Sequence, residues 1–129
     1  MLDLGHYVTI DEEPSYGSWY FDYDNIGGYD RIEGIREMNG KRYYRLEGED
    51  RECLWLESEL SFGDDEDFVH HIYEIGDEVI YDGTVGIITE IVLYDDEPRY
   101  ELDDSGPWLR EDELKLHRAR EVDTAYTLF

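Results

Sequence analysis

Lysine occurs only twice in this chain, at Lys41 and Lys115, alanine twice, at Ala119 and Ala125, and cysteine once, at Cys53. A lone cysteine excludes an internal disulfide framework and any zinc site built from several thiolates. No run of 18 or more apolar residues is present, which excludes a membrane-spanning helix. The start, Met1-Leu2-Asp3-Leu4-Gly5-His6, lacks the basic cluster and apolar stretch of a secretory signal. A cytoplasmic location is therefore expected. Positive charge is the scarcest commodity: 11 Lys and Arg stand against 35 Asp and Glu, for a formal net charge of −24 over 129 residues. Direct binding of nucleic acid needs a basic stripe that releases counterions, and anionic membrane needs the same, so both are disfavoured. Halophilic chains share the scarcity of lysine but are rich in alanine, which this one is not.

What remains is unusual for so charged a chain. Hydrophobic residues make up 40% and aromatics 15%, with twelve Tyr, three Trp and four Phe. A disordered acidic tail lacks such residues, so a packed core under an acidic surface is expected. Charge of this size costs stability through self-repulsion and speaks chiefly to association.

The sequence is also written twice. The second half contains Ile75-Gly76-Asp77-Glu78-Val79, a β-rich run from Gly83 to Ile91, Tyr100-Glu101-Leu102, and Trp108-Leu109-Arg110-Glu111-Asp112-Glu113-Leu114. The first half presents the same order: Leu4-Gly5-His6-Tyr7-Val8, Ile32 to Glu37, Tyr44-Arg45-Leu46, and Trp55-Leu56-Glu57-Ser58-Glu59-Leu60. Four matches in order indicate a tandem duplication. Asn39-Gly40 between two β-rich runs predicts a two-residue hairpin, and Asp95-Asp96 stands at the matching place. Each Trp-Leu ending predicts a strand followed by one helical turn, with Trp55 and Trp108 facing the core. Cys53, just before that strand, is expected to be a buried small hydrophobe.

The pattern Gly-x-x-Val … Tyr-x-Leu … Trp-Leu-x-Glu-x-x-Leu resembles the tandem SH3-like barrel modules of the small bacterial and phage type, with His6 where Asp is usual. The resemblance implies an all-β fold of two small SH3-like barrels with short 3-10 turns. Residues 1–62 form the first, with an insertion near 14–28, and 63–74 an acidic linker. Residues 75–117 form the second barrel and 118–129 a tail. It also implies a binding module and names no ligand.

The copies differ in length. From Gly5 to Tyr44 is about fifteen residues longer than from Gly76 to Tyr100, and the excess falls near Pro14 to Gly28. This stretch holds Tyr16, Trp19, Tyr20, Phe21 and Tyr23, flanked by Asp11, Glu12, Glu13, Asp22 and Asp24. Aromatics beside carboxylates suit Arg and Lys partners, and Tyr and Trp are common interface anchors. An extra hairpin packing its own aromatics on the barrel is the structural alternative. Other signals are weak. Asp22 to Glu33 has part of a calcium-loop spacing but an apolar Ile26 at a ligand position and no flanking helices. His70 and His71 are adjacent and would point to opposite faces of a strand. No phosphate-cradling loop, nucleophile elbow or positioned base for Cys53 is present.

A non-enzymatic interaction protein without cofactor or metal is therefore expected, monomeric and directed at a basic protein surface. The favoured form is a phage-type inhibitor that mimics nucleic acid and blocks the DNA- or RNA-binding surface of a host defence nuclease, such as a CRISPR effector, in the bacterial cytoplasm. The phosphate surrogates would be Asp22, Asp24, Glu47, Glu49, Asp50, Asp64, Asp65, Glu66, Asp95, Asp96, Asp103 and Asp104, with Tyr16, Trp19, Tyr20 and Tyr23 as apolar anchors. The alternatives are an adaptor barrel that binds one cationic peptide or subunit through an aromatic–acidic cleft, and a protein-mimic inhibitor of a host sensor.

Overall fold

A strand alternates its faces every residue, so isoleucines three apart should point to opposite sides. Ile32 and Ile35 nevertheless both lie fully in the core, as do Ile88 and Ile91. The reason is a bulge at the same place in each half. Pairing of β2 (Tyr29–Met38) with β3 (Lys41–Leu46) shifts between Ile32 and Gly34, and that of β7 (Thr84–Tyr94) with β8 (Glu97–Leu102) shifts between Ile88 and Glu90. One extra residue on the bulged strand returns the second isoleucine to the inner face. Tyr44 and Tyr100 stand opposite Ile35 and Ile91 and are equally buried.

The computed structural model describes residues 2–64 and 68–120. Among them there is no α-helix, only antiparallel strands and single 3-10 turns. The remaining strands are β1 (Tyr7–Ile10), β4 (Trp55–Leu56) and β5 (Leu60–Asp64) in the first half, and β6 (Glu78–Tyr81), β9 (Ser105–Arg110) and β10 (Lys115–Arg118) in the second. Both halves share one pairing scheme. The first strand pairs with the second and the fifth, the second with the third, and the third with the fourth. A 3-10 turn, Glu57–Glu59 or Glu111–Glu113, precedes each fifth strand, and the third residue of each reaches back to cap it: Glu59 accepts from the Leu56 N–H and Glu113 from the Arg110 N–H. The chain after Leu114 runs as strand through Arg118, and residues beyond 120 lie outside the described residues.

The repeat extends to individual bonds. Gly5 and Gly76, at φ 87° and 93°, donate to the carbonyls of Ile32 and Ile88 at 2.9 and 2.8 Å. The Asp3 N–H donates to His6 Nδ1 at 2.8 Å, as the Glu74 N–H donates to Asp77 Oδ2 at 2.9 Å. His6 thus performs the turn-closing role of an aspartate. The two-residue hairpins at Asn39-Gly40, Asp82-Gly83, Asp95-Asp96 and Asp103-Asp104 all have positive φ at both positions, as a type I′ turn requires.

One expected register is corrected. Trp55 is fully buried opposite Tyr44, but the residue opposite Tyr100 is Leu109, not Trp108. Trp108 is only half-buried on the other face of β9. The Trp-Leu dipeptides are therefore offset by one residue, and Leu109 fills the place of Trp55.

The halves join through β2 and β7. At residues 34–36 β3 holds one edge of β2, and β7 takes the other with Gly34 opposite Val92, Ile35 opposite Ile91 and Arg36 opposite Glu90. Since Ile35 and Ile91 are equivalent positions, a pseudo-twofold axis passes between them. Core residues of both halves form one continuous apolar cluster. Above this seam Glu90, 2% exposed, accepts from Arg36 Nη1 at 3.1 Å and Arg45 Nη1 at 2.6 Å. A buried carboxylate is tolerable only when paired in this way.

Candidate interaction surface

The inserted segment between β1 and β2 is a docked structure rather than filler. Phe21 is its buried anchor and meets the Trp55 ring edge-on at 5.6 Å. Trp55 Nε1 donates to the Glu12 carbonyl at 3.1 Å, and Tyr16 exchanges backbone bonds with Leu54 at 3.2 and 3.0 Å. Gly17 has φ +74°, and a Cβ there would sit 2.0 Å from the Glu52 carbonyl oxygen, so only glycine allows this approach. Cys53 is buried as expected, although it lies in the turn before β4 rather than in a strand; its Sγ donates to the Gly17 carbonyl. Burial and neighbouring Asp50, Glu49 and Glu52 push its thiol up to about 11. A thiol held protonated is a poor nucleophile.

Pinning Phe21 leaves its neighbours outside. Two 3-10 turns, Ser18–Tyr20 and Tyr23–Asn25, present Trp19 at 96% exposure and Tyr20 and Tyr23 at 61% each, with Tyr16 at 42%. Asp22 caps the second turn by accepting from the Asp24 N–H. The Tyr23 hydroxyl donates to Glu13, which raises the phenol above its ordinary value. Four exposed aromatics on one docked loop are a feature that interaction sites share.

A strip of carboxylates leads away from this loop. Glu49 is held by Asn25 Nδ2 at 3.0 Å, and burial together with Asp30 and Asp22 raises its carboxyl above the usual range. Burial does the same for Glu33, opposed by Arg45 and reinforced by Glu47 and Asp30. Glu33 and Glu47 then line a cleft of about 400 Å³ between the halves, closed on the far side by Tyr94, Asp95 and Asp96. Arg31 crosses it, pairing with Asp96 at 2.7 Å. Both carboxyls are raised first by burial, with neighbouring acids adding to it.

Of the predicted surrogates, Asp22, Glu47, Glu49, Asp95 and Asp96 belong to this strip, with Asp24 beside it on the loop. Asp50 lies in the adjoining turn, where it accepts from the Glu52 N–H. Asp103 and Asp104 do not join it. The Asp103 N–H donates to the Ile87 carbonyl as that of Glu47 does to Arg31, so the pseudo-dyad carries this hairpin to the opposite flank. There Asp103 accepts from the Ile87 N–H and Asp104 from Arg36 at 2.7 Å. Asp64 ends β5; Asp65 and Glu66 lie outside the described residues. Asp30 and Glu33 were missed, because only the bent course of β2 reveals that they meet Glu47 and Glu49. The Asp22–Glu33 calcium spacing falls on a 3-10 turn and then on β2 itself.

His71 was also missed. Its ring is 3% exposed in its side chain and sits between equivalent acids of the two halves, with Nε2 2.8 Å from Asp3 and Nδ1 3.6 Å from Glu74. Nδ1 also faces the Tyr73 carbonyl at 2.9 Å. Both nitrogens face acceptors, an arrangement that the doubly protonated ring satisfies in full. Burial alone would lower its pKa, but these bonds and charges raise it; Asp3, raised by burial, is in turn held low by His71, the Leu4 N–H and Arg42.

The chain's own cations are largely consumed. Arg31, Arg36, Arg42, Arg45, Arg99, Arg110 and Arg120 all lie within ion-pair distance of its carboxylates. No family model, curated protein or solved structure matches the chain. What the surface can do must therefore be argued from its own chemistry: it offers aromatic faces and uncompensated carboxylates, and among the described residues no group of three or more ligands is placed to hold a metal ion.

Proposed function

We propose that this chain is a non-enzymatic interaction protein that occupies a basic, nucleic-acid-binding surface of another protein, in the manner of a phage-type inhibitor that mimics a polyanion. The observation that carries this reading is the acidic strip that starts at Asp22 on the loop of the exposed Trp19, Tyr20 and Tyr23 and runs through Glu49, Asp30, Glu33 and Glu47 to Asp95. Carboxylates in a row substitute for backbone phosphates, and the aromatic loop supplies the desolvated contact that charge alone does not. Opposite charges would also steer the two partners together, with association falling as salt rises. The shared strand order of the halves supports the further reading that each is a small SH3-like barrel. An inhibitor of a host defence nuclease, working in the host bacterial cytoplasm, fits this chemistry.

The concentration of aromatics in one loop favours a second reading, an adaptor that holds one cationic peptide or subunit. Capture of partners from bacterial lysate on the purified chain, with and without excess duplex DNA, separates the two. A nuclease or other DNA-binding protein that is captured alone and displaced by DNA supports the mimic. A single partner retained despite DNA and moderate salt rejects the mimic and leaves the adaptor.

A further inference from the structure

Three arginine–ring contacts among the described residues share one composition. Arg31 lies over the Tyr7 ring at 5.6 Å and pairs with Asp96 at 2.7 Å. Arg99 lies over Tyr94 at 5.2 Å with Glu97 at 3.9 Å, and Arg42 over Tyr44 at 5.7 Å with Asp3 at 3.7 Å. Each unit is a ring, a carboxylate and a guanidinium placed near both, with the Arg31–Asp96 pair at hydrogen-bond distance. The planar guanidinium suits this pairing because it can stack through its face while its edge donates to the acid.

The inserted loop supplies the first two parts and omits the third. Residues 11–28 contain five aromatics and five carboxylates but neither Lys nor Arg. Tyr23 is tied through its hydroxyl to Glu13, which fixes a carboxylate beside an exposed ring, and Trp19 stands almost wholly in solvent on the same loop, three residues before Asp22 in sequence. The loop is also held in place beforehand by Phe21, Tyr16 and Gly17, so little ordering remains for a partner to impose.

We infer that the Trp19–Tyr23 loop is a receptor for arginine side chains of the basic partner, which complete in trans the ring–carboxylate–guanidinium unit that the chain builds three times in cis. This rests on the proposed function and narrows it: the partner's contact is arginine, not positive charge in general. Lysine can pair with the acids but lacks the flat face for the rings.

The test compares fluorescein-labelled nona-arginine and nona-lysine peptides binding the full chain at low salt, by anisotropy, for the wild type and for Trp19→Ala/Tyr23→Ala. Both replaced side chains are exposed, and circular dichroism checks that the double variant keeps its fold. The wild type should bind nona-arginine about tenfold tighter than nona-lysine, and the double variant should lose most of that preference while binding nona-lysine as before. Equal wild-type affinities, or a preference that survives in the double variant, overturn the inference while the acidic-surface reading stands. Failure of both peptides to bind the wild type overturns both.

Discussion

The two halves show how far one framework can be bent to two uses. They share strand order, bulge position, the glycine entering the first strand and the capped 3-10 turn before the last. They differ at the connection from first to second strand. In the second half Asp82-Gly83 closes it as a two-residue hairpin; in the first, residues 11–28 do so with an exposed aromatic loop. One framework position that differs serves this loop: Trp55 stands where the second half has the smaller Leu109 and gives Phe21 a ring to pack on. The exposed aromatic loop sits on one half, and the other completes the acidic cleft with its Asp95-Asp96 hairpin.

The strongest way to break this contrast is Trp55→Ala. It should cost about 3–5 kcal/mol and free the loop, because ring burial, the Phe21 contact and the Glu12 bond are lost together. Leu109→Ala, at the matching place, should fall at the low end of ~2–5 kcal/mol and leave the loop docked. Urea denaturation followed by proteolysis of residues 11–28 reads both. Next is the seam between the halves. Glu90→Gln takes the buried carboxylate from Arg45 and leaves Arg36 with Asp104 and Glu101. It should destabilise by about 3 kcal/mol, the low end for a buried pair, because Arg36 is partly solvated and keeps other partners. A loss under a tenth of that would show the network to be incidental.

Gly17→Ala should cost ~2 kcal/mol or more, since both its positive φ and the Glu52 carbonyl oppose a side chain. Gly83→Ala, also at positive φ but with open space around it, should cost less, and thermal melts of the two variants rank them. The His71 contact is subtler and depends on pH. Its raised pKa gives stabilisation that is complete below the ordinary histidine value of 6.5 and vanishes as pH climbs through the raised folded value. Asp3, held low, contributes above its ordinary 3.8 and fails only as pH falls through the depressed value. The pair is therefore at full strength between these two ordinary values. His71→Gln should remove on the order of 1–2 kcal/mol there and progressively less at alkaline pH. A constant difference from pH 5 to 9 would contradict the charged ring. Smallest of all, Asp96→Asn should change stability by under about 0.5 kcal/mol, because that carboxylate is mostly in solvent.

Much of this architecture was legible in the sequence, for local reasons. Asn39-Gly40 and Asp95-Asp96 tolerate positive φ, so their turns announce themselves, and the extra residues of the first half stand out against the second. The misplaced Trp108 shows where such reading fails. In Trp-Leu both residues are apolar, and composition does not say which one faces inward; only the pairing of Tyr100 with Leu109 decides it. The acidic strip is similar. Asp22, Glu49 and Asp95 are distant in sequence, and Asp30 and Glu33 look like ordinary outward residues of a strand until the bulge bends it past Glu47. His71 meets Asp3 across 68 residues, a contact no local pattern encodes.

The axis between Ile35 and Ile91 has a consequence for how such a seam can be specialised. Two separate copies of one chain meeting edge to edge about a dyad place a residue against itself on the axis and repeat every other pair twice. Here the self-facing position is isoleucine on both sides, as that symmetry demands, but its two neighbouring pairs are unlike: Gly34 with Val92, and Arg36 with Glu90. A homodimer could not adopt that combination, since each side would carry both versions at once. Covalent linkage removes the obligation. One pair is free to become a close apolar approach and the other a buried ion pair, so the joint gains a polarity that distinguishes its two ends.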